Sequence, residues 1–337
     1  MKIIIPMAGM GKRMRPHTLT TPKPLIPVAG KPMVQRIAED LAKMSPEKIT
    51  EIAFIVGHFG EVAEKGLLDV AKKLGAVGKI YYQEEAHGIA HALLCAKESL
   101  NEKLLIVFAD TLFIPDTSIK IDTAKDGIIW VQKVEDPRQF GVVKLNEEGC
   151  ITDFVEKSPT FVSDLAIIGI YYFRDGAFLR DEMQYLIDNN LREKGEFQLT
   201  TALENMKKKG AKLFTSRVAE WLDCGNKDAT VATNKRILEM YYNDGSATNP
   251  RVELVNSKIV QPCFVGENVK IVNSTVGPYA SIGDNTCIEN SIVVNTMVQS
   301  NSIVKKAVLS NSMLGNNVEF SGNSQGASLG DFSVVKI

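Results

Sequence analysis

Hydrophobic and polar positions follow two different rhythms along this chain. Up to about residue 242, short apolar runs alternate with segments of helical spacing. Lys2–Ile5 is a β-rich run closed by Pro6 and followed by a glycine-containing loop. Val34, Ile37, Ala38 and Leu41 stand at i, i+3, i+4 and i+7, which predicts a helix opening after Pro32. The pattern then predicts a strand over 50–56, a helix over 61–74, a strand over 79–82 and a helix over 88–99. Residues 104–108 form a wholly apolar run, the signature of a parallel strand buried on both faces. Strand, helix, strand in this order implies right-handed βαβ units and a doubly wound α/β sheet, Rossmann-like in class. Runs at 128–133, 141–145, 151–156 and 166–173 predict an inserted β subregion, which makes the sheet mixed; helices return at 175–189, 198–208 and 228–242.

After the polar stretch Asn243–Pro250, rich in turn formers, the rhythm changes. Aliphatic residues recur at Ile259, Val265, Ile271, Val276, Ile282, Ile288, Val293, Val298, Ile303, Val308 and Leu314. Steps of five and six fit neither the 3.6 of a helix nor the 2 of a simple strand. They match the hexapeptide pattern of a parallel β-helix, in which each aliphatic points into a prism. Corners of such a prism favour Gly and Asn, and ten Asn fall between Ile259 and Ile337 against nine charged residues. At roughly 18 residues per coil there is room for about three or four coils. The run of fives from Ile288 to Val308 leaves a pentapeptide-type coil as an alternative. The expected organisation is a catalytic-type α/β domain over 1–242, a linker over 243–258 and a β-helix over 259–337.

Composition narrows the function. The 337 residues carry 39 Lys and Arg against 40 Asp and Glu, a net charge of −1. That balance argues against a nucleic-acid binder, which needs surplus cations to displace phosphate counterions. The longest apolar run, 165–173, is about half of the ~20 residues that a spanning helix requires, so no membrane helix is expected. The apolar stretch Ile3–Ala8 is too short for a secretory signal, holds Pro6, and is followed by Lys12, Arg13 and Arg15. Five scattered cysteines without a C-x-x-C pair suggest a reduced, cytoplasmic protein.

The first loop, Pro6 to Pro16, follows a strand and so sits at the carboxyl edge of the sheet, where open α/β folds bind ligands. Gly9 and Gly11 let backbone N–H groups approach phosphate oxygens as an anion nest. The dinucleotide fingerprint fails at Met14, and the P-loop pattern fails at Pro6 and Arg13. Arg15, Lys23 and Lys31 add cations that a triphosphate could use. Asp110, at the end of the apolar strand, puts a carboxylate at the same edge, and such a carboxylate can hold Mg²⁺. Asp223, in Trp221-Leu222-Asp223-Cys224-Gly225, follows a short strand and could reach the same ion. The Gln83 amide offers a donor and an acceptor together, which suits the imide edge of thymine or uracil, and Gly88 leaves room for a ring. No histidine follows His91, which disfavours a β-helix acyltransferase with a histidine base.

The whole phrase G-x-G-x-R-x-x-P-x-T at Gly9–Thr18, then Pro22-Lys23-Pro24-Leu25, then Pro27-Val28-x-x-Lys31-Pro32-Met33, closely resembles the signature of the sugar-1-phosphate nucleotidylyltransferases. Within that family the overall match is to the long-form glucose-1-phosphate thymidylyltransferases, which also carry a C-terminal left-handed β-helix. The resemblance covers residues 1–240 through dispersed motifs and 255–320 through the repeat. It implies that Ala8, Gly9 and Gly11 bind the nucleotide and that Arg13 contacts the triphosphate and stabilises the transition state. Lys23 would hold the α-phosphate and the incoming sugar phosphate, and Asp110 and Asp223 would bind Mg²⁺. The phrase Gln83–Ala92 looks like the thymidylyl and uridylyl versions, so Gln83 and Gly88 would select a pyrimidine base. Phe140-Gly141-Val142-Val143 and Val155-Glu156-Lys157 resemble the sugar motifs. They would give Gly141 and Glu156 to the sugar hydroxyls and Lys157 to its phosphate, with Gly169 and Glu196 lining the same pocket. Ser158 before Pro159 departs from the family pattern by one residue, and Ala8 stands where many members have Gly.

The expected activity is nucleotidylyl transfer from dTTP to a sugar 1-phosphate. A UTP-dependent enzyme acting on glucose 1-phosphate or N-acetylglucosamine 1-phosphate, and a non-catalytic regulatory subunit, remain the alternatives. The β-helix is expected to serve as scaffold and in homo-oligomer assembly.

Overall fold

The computed structural model describes residues 1–9, 11–116 and 118–337. The chain forms two compact units, Met1–Gly9 with Val34–Leu222, and Met10–Met33 with Asp223–Ile337. This division cuts across the expected boundary at residue 242. The signature loop belongs to the same unit as the C-terminal repeats.

The first unit is built on a nine-stranded mixed sheet. In chain order its elements are β1 (Lys2–Pro6), α1 (Met33–Met44), β2 (Glu51–Val56), α2 (Glu61–Lys73), β3 (Val77–Tyr82), α3 (Ile89–Cys95), β4 (Leu104–Val107) and β5 (Thr111–Ile114). There follow β6 (Gly127–Lys133), β7 (Gly141–Leu145), β8 (Ile151–Glu156), β9 (Leu165–Phe173), α4 (Gly176–Asp188), α5 (Leu199–Lys208), β10 (Leu213–Ser216) and β11 (Glu220–Asp223), whose last residue opens the second unit. The strand order is β8-β7-β9-β4-β1-β2-β3, with β6 paired to β9 and β10 paired to β6. β3, β2, β1 and β4 run parallel, and β9 is antiparallel to β4, β6 and β7.

The reason for this core is legible residue by residue. Ile3, Ile4 and Ile5 and all of β4 are fully buried, as a strand covered on both faces must be. Val34, Ile37, Ala38 and Leu41 are buried too, on the one face that their spacing predicts. In a 3-2-1-4 order the direction of winding reverses between β1 and β4, which opens a crevice at their carboxyl ends. The loop from Met7 and the turn that carries Asp110 both leave the sheet at that point. β5 and β11 form a separate two-stranded pair, extended by the Ala219 N–H bond to Ile114 O (2.9 Å).

In the second unit the repeats form a parallel β-helix with three strand stacks. On one face Glu253 pairs with Lys270, Lys270 with Cys287, Cys287 with Ile303, Ile303 with Glu319 and Glu319 with Val334. Five coils of 17, 17, 16, 16 and 15 residues result, more and tighter than the expected three or four of 18. Single left-handed residues at the corners explain the shortening. From Ile271 to Val276 the chain advances only five residues, turning at Asn273 with φ 47°. The corner asparagines also bond to one another from coil to coil. Asn256 donates to Asn273 (2.9 Å), Asn268 to Asn285 (3.1 Å) and Asn295 to Asn311 (2.7 Å).

Two of the inward positions read from sequence are corrected. Ile303 and Val308 lie 37% and 48% exposed, while their neighbours Val304 and Leu309 fill the prism. Val304 stacks on Ile288 and Leu309 on Val293, so steps of five and six interleave and no strict pentapeptide coil forms. Glu253–Val255, within the stretch expected as linker, and Lys258–Ile259, at its boundary with the expected β-helix, are strands of the first coil.

Candidate active site

In the second unit the signature loop is a series of tight turns. Gly11 takes the left-handed conformation (φ 56°), and the Thr18 hydroxyl donates to its carbonyl oxygen (2.9 Å). A β-carbon on Gly11 would stand 3.1 Å from both Lys23 Cβ and Thr18 Cγ2, so the glycine lets the chain close on itself. One 3₁₀ turn, Lys12–Met14, follows, with Met14 buried and Arg13 exposed. Asp223 leads into Gly225, whose N–H donates to Asp223 Oδ1 (2.8 Å). A β-carbon on Gly225 would lie 3.0 Å from Asp223 Oδ1 and 3.3 Å from Arg13 Nη2. The guanidinium and the carboxylate thus flank one glycine. Thr233 holds the Asp223 carbonyl (2.7 Å), and Asn226 caps the helix α6 (Lys227–Tyr241) that follows. Gly11, Arg13, Lys23 and Asp223 share this unit. Cys224 is fully buried.

In the first unit the remaining residues form three groups. The Met7 N–H bonds to Ile55 O (2.8 Å) and brings Ala8 and Gly9 out over the sheet edge, where Gly9 faces open space. Asp110 closes the β4–β5 turn, half-buried. The same turn is tied to Gly169 (φ 82°): Phe108 N–H donates to Gly169 O (2.9 Å), and the Thr111 hydroxyl donates to Ile168 O (2.9 Å). A side chain on Gly169 would collide with the Phe108 ring, 2.7 Å away.

Glu156 and Gly141 are cross-strand partners on β8 and β7, and a β-carbon on Gly141 would come within 2.9 Å of Glu156 Oε2. Burial pushes the Glu156 carboxyl above the ordinary carboxylate range, opposed by Lys157 and Lys194 and reinforced by Glu193. Lys157 Nζ stands 3.7 Å from Glu156 Oε1. The backbone here is left-handed at Lys157 (φ 45°), which is where the Ser158 departure falls. Lys194 fastens this turn by donating to the Glu156 and Lys157 carbonyls (3.0 and 2.9 Å). Sequence reasoning missed Lys194, which is an unremarkable exposed lysine until the fold brings it across.

The third group joins Gly88 to Glu196. Gly88 (φ 107°) packs against the Phe197 backbone, where a β-carbon would sit 2.6 Å from Phe197 O and 3.0 Å from Glu196 Cβ. Gln83 follows β3, its N–H held by Val56 O (2.9 Å), with its side-chain nitrogen 3.4 Å from His91 Nδ1. Burial lowers the His91 pKa and favours the neutral ring. Among the described residues no cluster of three or more His, Cys, Asp or Glu side chains forms a metal centre. Asp110 and Asp223 are all-oxygen donors, and one or two carboxylates completed by phosphate and water is the usual Mg²⁺ set. No helix among the described residues is long and apolar enough to cross a membrane.

Comparison with known proteins gives the class. The family model for nucleotidyl transferases matches residues 2–240, and the chain belongs to that family. It is 29% identical to a glucose-1-phosphate thymidylyltransferase of Streptomyces antibioticus, over 100% of this chain and 99% of that one. It is 30% identical to the bifunctional protein GlmU of Methanocaldococcus jannaschii, over 98% and 81%. Among solved structures, a protein described as a glucose-1-phosphate thymidylyltransferase of Bacillus anthracis superposes with a TM-score of 0.57 at 25% identity, covering 69% of this chain and 93% of that one.

Proposed function

We propose that the chain transfers a thymidylyl group from dTTP to a sugar 1-phosphate, with glucose 1-phosphate the first candidate, and releases pyrophosphate. A sugar-phosphate oxygen attacks the α-phosphorus, a new P–O bond forms, and the bond to the bridging oxygen of the β-phosphate breaks. The nucleophile is already an anion, so no general base is required. What remains is positioning and charge neutralisation. In this reading the backbones of Ala8, Gly9 and Gly11 and the Arg13 side chain take the triphosphate, and Lys23 takes the α-phosphate and the attacking phosphate. Gln83 and Gly88 select the base. Gly141, Glu156, Gly169 and Glu196 hold the sugar, and Lys157 holds its phosphate.

Asp110 and Asp223 would hold Mg²⁺, which when bound offsets phosphate charge. Support for giving both carboxylates to the metal is their match to the two aspartate motifs of the family, Asp110 ending the apolar strand and Asp223 within Trp221-Leu222-Asp223-Cys224-Gly225. The exposed aliphatics Ile292, Ile303 and Val308 support a further proposal that the β-helix self-associates, which light scattering would test.

The observation that carries the function is the grouping of Arg13 and Asp223 on Gly225, in the unit where Gly11 closes on Lys23. Pyrophosphate release with dTTP, UTP and the other nucleoside triphosphates, each against several sugar 1-phosphates, is the test. The highest kcat/KM with dTTP supports the proposal. Preference for UTP makes the protein a uridylyltransferase, and nucleotide binding without turnover makes it a regulatory subunit.

A further inference from the structure

The signature loop is built onto the β-helix. Within the second unit, Pro16, His17 and Thr20 meet the last coil. A β-carbon on Gly330 would touch Pro16 at 3.0 Å, His17 Nε2 stands 3.1 Å from Ser328 Oγ, and the Thr20 hydroxyl donates to Asp331 Oδ2 (2.8 Å). Asp331 is itself fixed, accepting from the Asn316 N–H (2.7 Å). Further along, Asn234 of α6 accepts from the Ala29 N–H (2.9 Å) and from Ser281 Oγ (2.7 Å). Gly30 lies flat on the Phe264 ring, with no space for a β-carbon (2.1 Å). The loop therefore rests on the strand stack 264–265, 281–282, 297–298, 313–314 and 328–329 at several heights.

His17 is 3% exposed, and its Nδ1 has no hydrogen-bond partner among the described residues. Among the described residues Ser328 alone holds the ring by a hydrogen bond, so that contact sets its place. Arg13 and Lys23 lie four residues before His17 and three after Thr20, within reach of any loosening at the clasp.

We propose that the terminal β-helix coil is a positioning element for nucleotidylyl transfer, with Ser328 and Asp331 clasping His17 and Thr20 so that the phosphate-binding loop is held in its reactive shape. This rests on the proposed function, and it gives the β-helix a part in the reaction beyond scaffold or assembly. Ser328, Asp331, His17 and Thr20 are positioning residues and touch no substrate.

The test uses the full chain with Thr20→Val/Ser328→Ala, beside the conservative pair Thr20→Ser/Ser328→Thr, which keeps both hydroxyls. The first should lower kcat roughly tenfold, on the scale of two lost hydrogen bonds, with a smaller rise in KM for the sugar 1-phosphate through Lys23. The conservative pair should restore most of the rate. Amide exchange over residues 11–31 should quicken in the first variant, while the inner strands 270–272 and 287–289 keep their protection. Wild-type exchange and wild-type kcat in the first variant would overturn the proposal. So would an equal loss in both pairs, or a loss spread over the whole β-helix. If the unaltered protein turns over no substrate pair, the functional reading fails, and the exchange data alone then decide whether the clasp orders the loop.

Discussion

Burial at the clasp sets a proton inventory that can be measured. His17 loses hydration in the folded unit, which lowers its pKa from 6.5 to about 4, with Asp331 opposing and Lys227 adding to the shift. Between those values the unfolded chain carries the proton and the folded chain does not. Stability is therefore complete above about pH 6.5 and declines as the pH falls toward 4. The full shift is worth about 3 kcal/mol, of which about 2 kcal/mol is lost by pH 5. Replacing the ring by a neutral side chain removes the dependence, so His17→Gln should be less stable than the unaltered protein at pH 7.5 and close the gap by about 2 kcal/mol at pH 5. Urea unfolding followed by far-UV circular dichroism measures both. With four histidines in the chain, the His17 Hε1 resonance can also be titrated by NMR. A His17 midpoint near 6.5, or an unchanged gap between pH 7.5 and 5, would refute the burial argument.

Arg13→Ala should lower kcat by roughly 10²-fold, the scale of one lost transition-state donor, in a pyrophosphate-release assay. Asp110→Asn, or chelation of divalent cations with EDTA, should abolish turnover, and added Mg²⁺ should restore only the chelated sample. Gly30→Ala should cost roughly 2–4 kcal/mol in urea unfolding, since it meets both a left-handed φ and the Phe264 ring; adding Phe264→Leu should recover the steric share alone. Because the Glu156 carboxyl protonates above its ordinary range, its acceptor oxygens are lost early on acidification. The KM ratio of Glu156→Gln to the unaltered enzyme for sugar 1-phosphate should therefore shrink as the pH falls.

Local pattern determined most of the elements. The α1 face and the apolar β1 and β4 were legible because burial on one or both faces leaves a trace in the residues themselves, and the strands 141–145 and 151–156 were legible as β-rich runs although their burial does not alternate. The β-helix was legible for the same reason, with its corners marked by asparagine. Its coil count and the facing of Ile303 and Val308 were not: a step of five or six is decided by which single residue turns the corner, and the choice between Ile303 and Val304 is settled by stacking on Ile288.

For the site, local chemistry in the sequence pointed to the glycine loop and the two carboxylates, because glycines and charged residues after a strand carry their chemistry locally, while the sugar motifs came from the resemblance to the sugar-1-phosphate nucleotidylyltransferases. Tertiary structure alone decided which pieces belong together. It placed Met10–Met33 with the C-terminal repeats, brought Lys194 onto the Glu156–Lys157 carbonyls, and seated His17 on Ser328, a contact across 311 residues. Contacts of that range arise from packing between segments, and no spacing within either segment encodes them.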